Sequence, residues 1–276
     1  MLIDNIPSIS MYELLRELRE QPILIKFDDI IIERVLYLAG YDKEALIIID
    51  DKGLYKGIVS GYDIIRLFYL YDKNALHYMF KTRMHDIMRV IITTNTNDSL
   101  RSLIRKMIKT KFGMAVIVDE NNHPVGLVGM IELLKFYLTH GVYLYFREMQ
   151  VQNLASRPLI EVSRDSNLRM VISLMINKNV KRIFVRDIDK VITDRSIIQA
   201  LFLYYFQDLL EKPEEILNKP VNELSIFQEP AIINVDVSVE KVIRELLNSE
   251  AKCIINKDSG YIITPWDLVI KPFQFS

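Results

Sequence analysis

The stretch KGIVSGYDIIR, Lys56 to Arg66, runs from apolar residues through Ser60 and Asp63 into a helix-like pattern. Just upstream, ALIIID (Ala45 to Asp50) is an isoleucine-rich run closed by the turn signal DKG, and LYKGIVS supplies a second run of the same kind. From Tyr62 onward, Ile64, Ile65, Phe68 and Leu70 fall at helical spacing. The order is strand, turn, strand, helix, with Ser60 at the helix start.

That order returns three times. It is repeated in AVIVDENNHPVGLVGMIELLKFYL (Ala115 to Leu138), RIFVRDIDKVITDRSIIQALF (Arg182 to Phe202) and CIINKDSGYIITPWDLVI (Cys253 to Ile270). Aligned on the helix start, Asp63, Glu132, Ser196 and Asp267 are equivalent, at intervals of 69, 64 and 71 residues, which marks an internal repeat. A helical pattern precedes three of the copies: LRSLIRKMIKT (Leu100 to Thr110), LRMVISLMINKN (Leu168 to Asn179) and VEKVIRELLNSE (Val239 to Glu250). ERVLYLAGYDKE fits the first copy less cleanly, and the strand-like pieces ILIKF, VIITT, PLIEV and AIINV come before the four helices. Each repeat therefore reads strand-helix-strand-strand-helix, an α/β (α+β repeat) architecture.

The copies fall into two kinds. From the first strand residue to the motif residue is 14 positions in the first two (Leu46 to Ser60, Ala115 to Gly129) and 11 in the last two (Arg182 to Thr193, Cys253 to Thr264). The helix is expected to end near Gly141 and restart, with the second half beginning near Val151. The resulting divisions are 1–80, 81–146, 147–215 and 216–276.

Composition narrows the function. Thirty-five Lys and Arg balance 36 Asp and Glu, so no global positive field favours nucleic acid or an acidic membrane. One cysteine, Cys253, rules out an intrachain disulfide, and the four histidines match no common metal-ligand spacing. The start, MLIDNIPSIS, is not a secretory signal, and no uncharged run approaches the roughly 18 residues of a membrane helix. A cytoplasmic protein is expected. There is no nucleophile elbow, P-loop or dinucleotide fingerprint, so no enzyme activity is expected.

Ser60 with Asp63, and Thr264 with Asp267, match a helix capping box, with Pro265 well placed at a first helical position. The same atoms suit a ligand. A helix start favours an anion, a hydroxyl can donate to phosphate or sugar, and an ionised aspartate can accept from two ribose hydroxyls. The carboxylate would repel a phosphate at close range, so the sugar is its better partner.

With four placed copies, the chain resembles a tandem array of cystathionine-beta-synthase (CBS) domains, from about Ile6 to Ile270. The resemblance implies four CBS repeats packed as two Bateman modules, with adenosine compounds held in the clefts between paired repeats. The family signature G-x-x-[ST]-x-x-D is complete at Gly57-Ile58-Val59-Ser60-Gly61-Tyr62-Asp63. At Gly126 to Glu132 it lacks the hydroxyl and has a longer acid. At Lys190 to Ser196 it keeps Thr193 and loses the acid, and at Tyr261 to Asp267 it lacks the glycine but keeps Thr264 and Asp267. The implied ligand residues are therefore Ser60, Asp63, Thr264 and Asp267, with Thr193, Glu132 and Ser196 at the degraded copies. Lys111, Lys181 and Arg182, with Arg195 and Lys252, are candidates for phosphate.

The implied function is regulatory. AMP, ADP, ATP or S-adenosylmethionine would act as the ligand and an unidentified protein as the regulated partner, with no cofactor required. The alternative is an interaction scaffold whose motifs are only helix caps. The aromatic stretches YLYF (Tyr143 to Phe146) and FLYYFQ (Phe202 to Gln207) are candidates for a homodimer or intermodule surface. Trp266 is expected to pack inward rather than stack on a base.

Overall fold

The computed structural model describes residues 2–18, 21–41, 44–156, 158–233, 237–257 and 259–274. After a short helix α1 (Met11–Leu18), the first repeat runs β1 (Leu24–Lys26), α2 (Ile31–Gly40), β2 (Ala45–Ile49), β3 (Tyr55–Ser60) and α3 (Gly61–Tyr71), followed by α4 (Ala75–Lys81) and α5 (Met84–Ile87). The second is β4 (Thr93–Asn95), α6 (Leu100–Thr110), β5 (Met114–Val118), β6 (Pro124–Gly129) and α7 (Met130–Thr139), with α8 (Val151–Leu154) after it. The third is β7 (Glu161–Val162), α9 (Leu168–Lys178), β8 (Arg182–Val185), β9 (Lys190–Thr193) and α10 (Asp194–Gln199). It continues through a π-helical turn at Ala200–Tyr204 into α11 (Phe206–Glu211), α12 (Pro213–Asn218) and β10 (Phe227–Gln228). The fourth is β11 (Ala231–Ile232), α13 (Val239–Asn248), β12 (Ile254–Asn256), β13 (Tyr261–Ile263) and α14 (Pro265–Val269).

Each repeat makes a small sheet in which the first strand pairs parallel with the second, and the second pairs antiparallel with the third. The parallel pairing needs a crossover, which the intervening helix supplies. The tight turn between second and third strands fixes the register: Ala45 opposes Ser60, Met114 opposes Gly129 and Arg182 opposes Thr193. Each motif residue thus sits at the end of its sheet, where the last helix begins.

The second strands are mostly apolar because both faces are covered. Along β2, Leu46 and Ile48 turn toward the helices, whereas Ala45 and Ile47 join Met114, Val116 and Val118 of β5 in a core between two sheets. Phe184 of β8 and Cys253 with Ile255 at β12 make the same sheet-to-sheet contact in the second half. Repeats one and two, and repeats three and four, are therefore paired through their sheets. Cys253 is buried, and burial raises its thiol pKa to about 11, so it packs as a small apolar side chain.

The helical faces join the two pairs. One core unites repeats one and three, and another unites repeats two and four with the N-terminal Ile3, Ile6, Met11 and Leu14. Aromatic residues seal both seams. Phe68 meets Phe202 edge-on at 6.4 Å, and Phe146 meets Phe273 at 5.9 Å. The Tyr137 hydroxyl donates to the Val269 carbonyl. Phe146 and Phe202 of the two aromatic stretches are thus intermodule contacts within one chain, while Leu144, Tyr145, Leu203 and Tyr204 remain exposed.

Some expected strands shrink. VIITT begins pairing only at Thr93, because Arg89 is drawn onto Ile58 of the first repeat and Val90 lies exposed. PLIEV is paired only at Glu161–Val162. In ERVLYLAGYDKE the helix ends at Gly40, and Asp42 and Lys43 lie outside the described residues, as do Asn234 and Val235 of AIINV. Among the described residues no helix is long and apolar enough to cross a membrane.

Candidate functional site

The helices that follow the motifs pack in pairs across the two modules, first repeat with third and second with fourth. A Cβ on Gly61 of repeat one would stand 3.6 Å from Ile198 and 3.8 Å from Asp194 Oδ2 of repeat three. One on Gly113 of repeat two would stand 3.8 Å from Met130 and 3.9 Å from Trp266 of repeat four. Trp266 is half-buried against that core. Arg182 Nε donates to the Ala251 carbonyl at 2.8 Å, joining repeats three and four.

The complete copy is also a fully occupied one. Asp63 Oδ2 accepts from the Ser60 N–H at 2.8 Å and the Ser60 hydroxyl at 2.7 Å, closing the capping box of α3. Arg89 then binds from the segment leading into the second repeat. Its Nε donates to Asp63 Oδ1 at 2.5 Å, and its Nη2 to Asp63 Oδ2 at 3.2 Å and Ser60 Oγ at 3.3 Å. The Asp63 side chain is 4% exposed and that of Arg89 is 38% exposed. Gly57 is required beneath this contact, since a Cβ there would come within 3.0 Å of both the Arg89 carbonyl and Met88 Sδ.

Segments crossing within each pair reach the other copies too. In the fourth repeat Asp267 is 0% exposed. Its Oδ2 accepts from the Thr264 N–H (2.7 Å) and hydroxyl (2.8 Å), and its Oδ1 accepts from the Ser156 hydroxyl (2.7 Å) and pairs with Lys271 Nζ (2.6 Å). Lys271 donates further to the carbonyls of Leu154 and Ala155. In the third repeat the Thr193 hydroxyl accepts from the Ser196 N–H at 3.0 Å and donates to Gln228 Oε1 at 2.9 Å, while the Ser196 hydroxyl donates to the Thr193 carbonyl. Both hydroxyls are buried.

The second copy, which has no hydroxyl, is filled differently. The Gly129 N–H donates to Glu132 Oε2 at 2.9 Å, and a Cβ on Gly129 would land on Glu44 Oε2. Glu44, just ahead of β2, therefore occupies the space where the other copies carry Ser or Thr. The residue as a whole is exposed to water, but its carboxylate is crowded by groups of the neighbouring repeats. Burial, then the Glu132 charge, pushes its carboxyl up to about 7, while Lys181 and Arg182 pull the other way and Asp194 adds to the rise. Glu132, Lys181 and Arg182 are thus brought together around Glu44.

The remaining basic candidates are split. Lys252 is held low by burial and by the nearby charges of Lys135 and Arg195, which places cations of repeats two, three and four close to one another. Lys111 stands apart, exposed at the left-handed end of α6. Sequence reasoning missed Arg89, Ser156, Gln228, Lys271 and Glu44. The first four touch motif residues through crossing segments or a helix turn beyond the motif, and no local pattern signals them. For Glu44, the missing hydroxyl at Gly129 was the available hint.

Comparison with known proteins agrees with this architecture. The family model for the CBS domain matches residues 84–139 and 151–203. A crystal structure of a Methanocaldococcus jannaschii protein, proposed as an archaeal homologue of γ-AMPK, superposes with a TM-score of 0.76 at 15% identity, covering 93% of this chain and 97% of that one. An uncharacterized protein of Methanopyrus kandleri is 25% identical over 141 residues, 51% of this chain and 67% of that protein. An uncharacterized protein of Methanocaldococcus jannaschii is 28% identical over 134 residues, 48% of this chain but only 30% of that protein. The second and third repeats thus carry segments matched as CBS domains, and the same strand and helix order in all four repeats, paired through their sheets, gives the chain the fold of a tandem CBS array.

Proposed function

We infer that this protein is regulatory: it binds an adenosine-containing ligand at the first repeat and conveys the binding to a partner protein through the packing of its modules. The observation that carries this reading is the Ser60–Asp63 pair, a complete motif whose buried carboxylate is held by a partly exposed Arg89. A carboxylate that accepts hydrogen bonds from a guanidinium and a hydroxyl can accept them from vicinal ribose hydroxyls instead. Thr264 and Asp267 form a second position of the same kind, tied more firmly by Lys271, Ser156 and complete burial. The basic cluster of Lys135, Arg195 and Lys252 and the pair Lys181 and Arg182 would balance phosphate charge in the same central region.

A route to a partner exists in the packing. Asp63 lies in the first turn of α3, whose Gly61 abuts Asp194 and whose Phe68 packs on Phe202 of the other module. A ligand that fits one arrangement of this seam better than another shifts the population between them by that difference in affinity. The test is a melting-temperature screen with AMP, ADP, ATP and S-adenosylmethionine, together with mass spectrometry of anything bound through purification. A rise with one of them that is lost in Asp63→Ala supports sensing. A scaffold with no small-molecule ligand is the second reading, favoured by the internal partners found for Ser60, Asp63, Thr193, Thr264 and Asp267. Failure of all four compounds to shift the melting temperature would support it.

A further inference from the structure

The crossing segments lay three different side chains on the motifs: Arg89 on Ser60 and Asp63, Gln228 on Thr193 and Ser156 on Asp267. Among these three only Arg89 is a cation, and more than a third of its side chain is in water. Asp63 is held at both oxygens: Oδ2 is filled by the Ser60 N–H, the Ser60 hydroxyl and Arg89 Nη2, and Oδ1 accepts from Arg89 Nε. A carboxylate oxygen has about two lone-pair sites, so a vicinal pair of ribose hydroxyls spanning both oxygens of Asp63 engages it by displacing Arg89.

Displacement does not carry Arg89 away. Its backbone N–H and carbonyl exchange hydrogen bonds of 2.9 Å with Ile58, and the chain beneath is packed too closely on Gly57 to slide. The guanidinium therefore swings about a fixed Cα and stays within reach of the same cleft. Having lost its carboxylate in a partly desolvated position, it is better paired with another anion than with water alone. A neutral nucleoside leaves it unpaired, whereas a nucleoside phosphate supplies the bidentate oxygens a guanidinium fits best.

We propose that Arg89 is the specificity-determining residue of the first-repeat position: it yields Asp63 to the ribose and takes the ligand's anionic group, so that nucleoside phosphates are selected over neutral nucleosides. The proposal rests on the reading of Ser60 and Asp63 as the ribose position.

Calorimetric titration of AMP and of adenosine into the wild-type protein, Arg89→Ala, Arg89→Gln and Arg89→Lys tests it. The wild type is expected to bind AMP at least about tenfold more tightly than adenosine, the loss of one charge-assisted pairing. In Arg89→Ala, AMP weakens and adenosine strengthens because the internal competitor is gone, so the two affinities converge to within about twofold. Arg89→Gln, which keeps a donor without the charge, shows the same convergence and serves should the alanine variant not fold. Arg89→Lys keeps a preference for AMP. An unchanged affinity ratio in both uncharged variants, with binding still lost in Asp63→Ala, overturns the role of Arg89 and leaves the adenosine reading standing. No binding of either compound to any of these proteins overturns both.

Discussion

Glu44 of the first repeat holds its carboxylate over Gly129 of the second, in the space a side chain at that position would fill. The second motif has thus lost its hydroxyl and gained an acid from its paired repeat. Restoring the hydroxyl with Gly129→Ser should therefore destabilise the protein. The obstructing atoms are the far end of a flexible side chain, so the cost is expected near the low end for overpacking, about 1 kcal/mol. Urea unfolding of Gly129→Ser, Glu44→Ala and the double variant would show it: the loss from Gly129→Ser should be smaller in the Glu44→Ala background.

The same carboxyl gives the fold a pH dependence. Burial and Glu132 raise Glu44 from 4.5 to about 7, against the attraction of Lys181 and Arg182. Between those values the folded chain holds a proton that the unfolded chain has released, so this group's contribution is full below pH 4.5 and lost as pH rises through 7. Water at the site screens the charges and reduces the size of the effect. Glu44→Gln, which stays neutral, should fall less in stability than the wild type between pH 5 and pH 8, as read from paired denaturation curves.

Lys271 should matter more to stability than an ordinary surface lysine. Its side chain is 19% exposed, and it ties the fully buried Asp267 to the Leu154 and Ala155 carbonyls of the segment leading into the third repeat. Lys271→Met leaves a buried carboxylate without its counter-ion and is expected to cost about 3 kcal/mol or more. Asp267→Asn in the same chain should recover part of that loss, a difference that chemical denaturation can resolve.

The repeats, their helix starts and the motif residues could be read from the chain because each rests on local order: a β-branched run, a turn, a hydroxyl three residues before an acid. Which faces meet could not. The alternation of Leu46 and Ile48 against Ala45 and Ile47 sends one set to the helices and the other to a neighbouring sheet, and both sets are aliphatic. The partners of the acids were hidden by distance along the chain. Arg89 lies 26 residues beyond Asp63, and Ser156 lies 111 residues before Asp267. Their contacts depend on the exchange of lead-in segments within each module, which leaves no periodic trace.

The account turns on Asp63 as the residue that holds the ligand's sugar. Calorimetric titration of AMP into the wild-type protein and into Asp63→Ala, each confirmed as folded by circular dichroism, tests this most directly. Saturable binding that weakens by at least about tenfold in Asp63→Ala is the expected result, since a lost hydrogen bond to a charged group is worth about 1.5 to 3 kcal/mol. The same affinity in both proteins would contradict it.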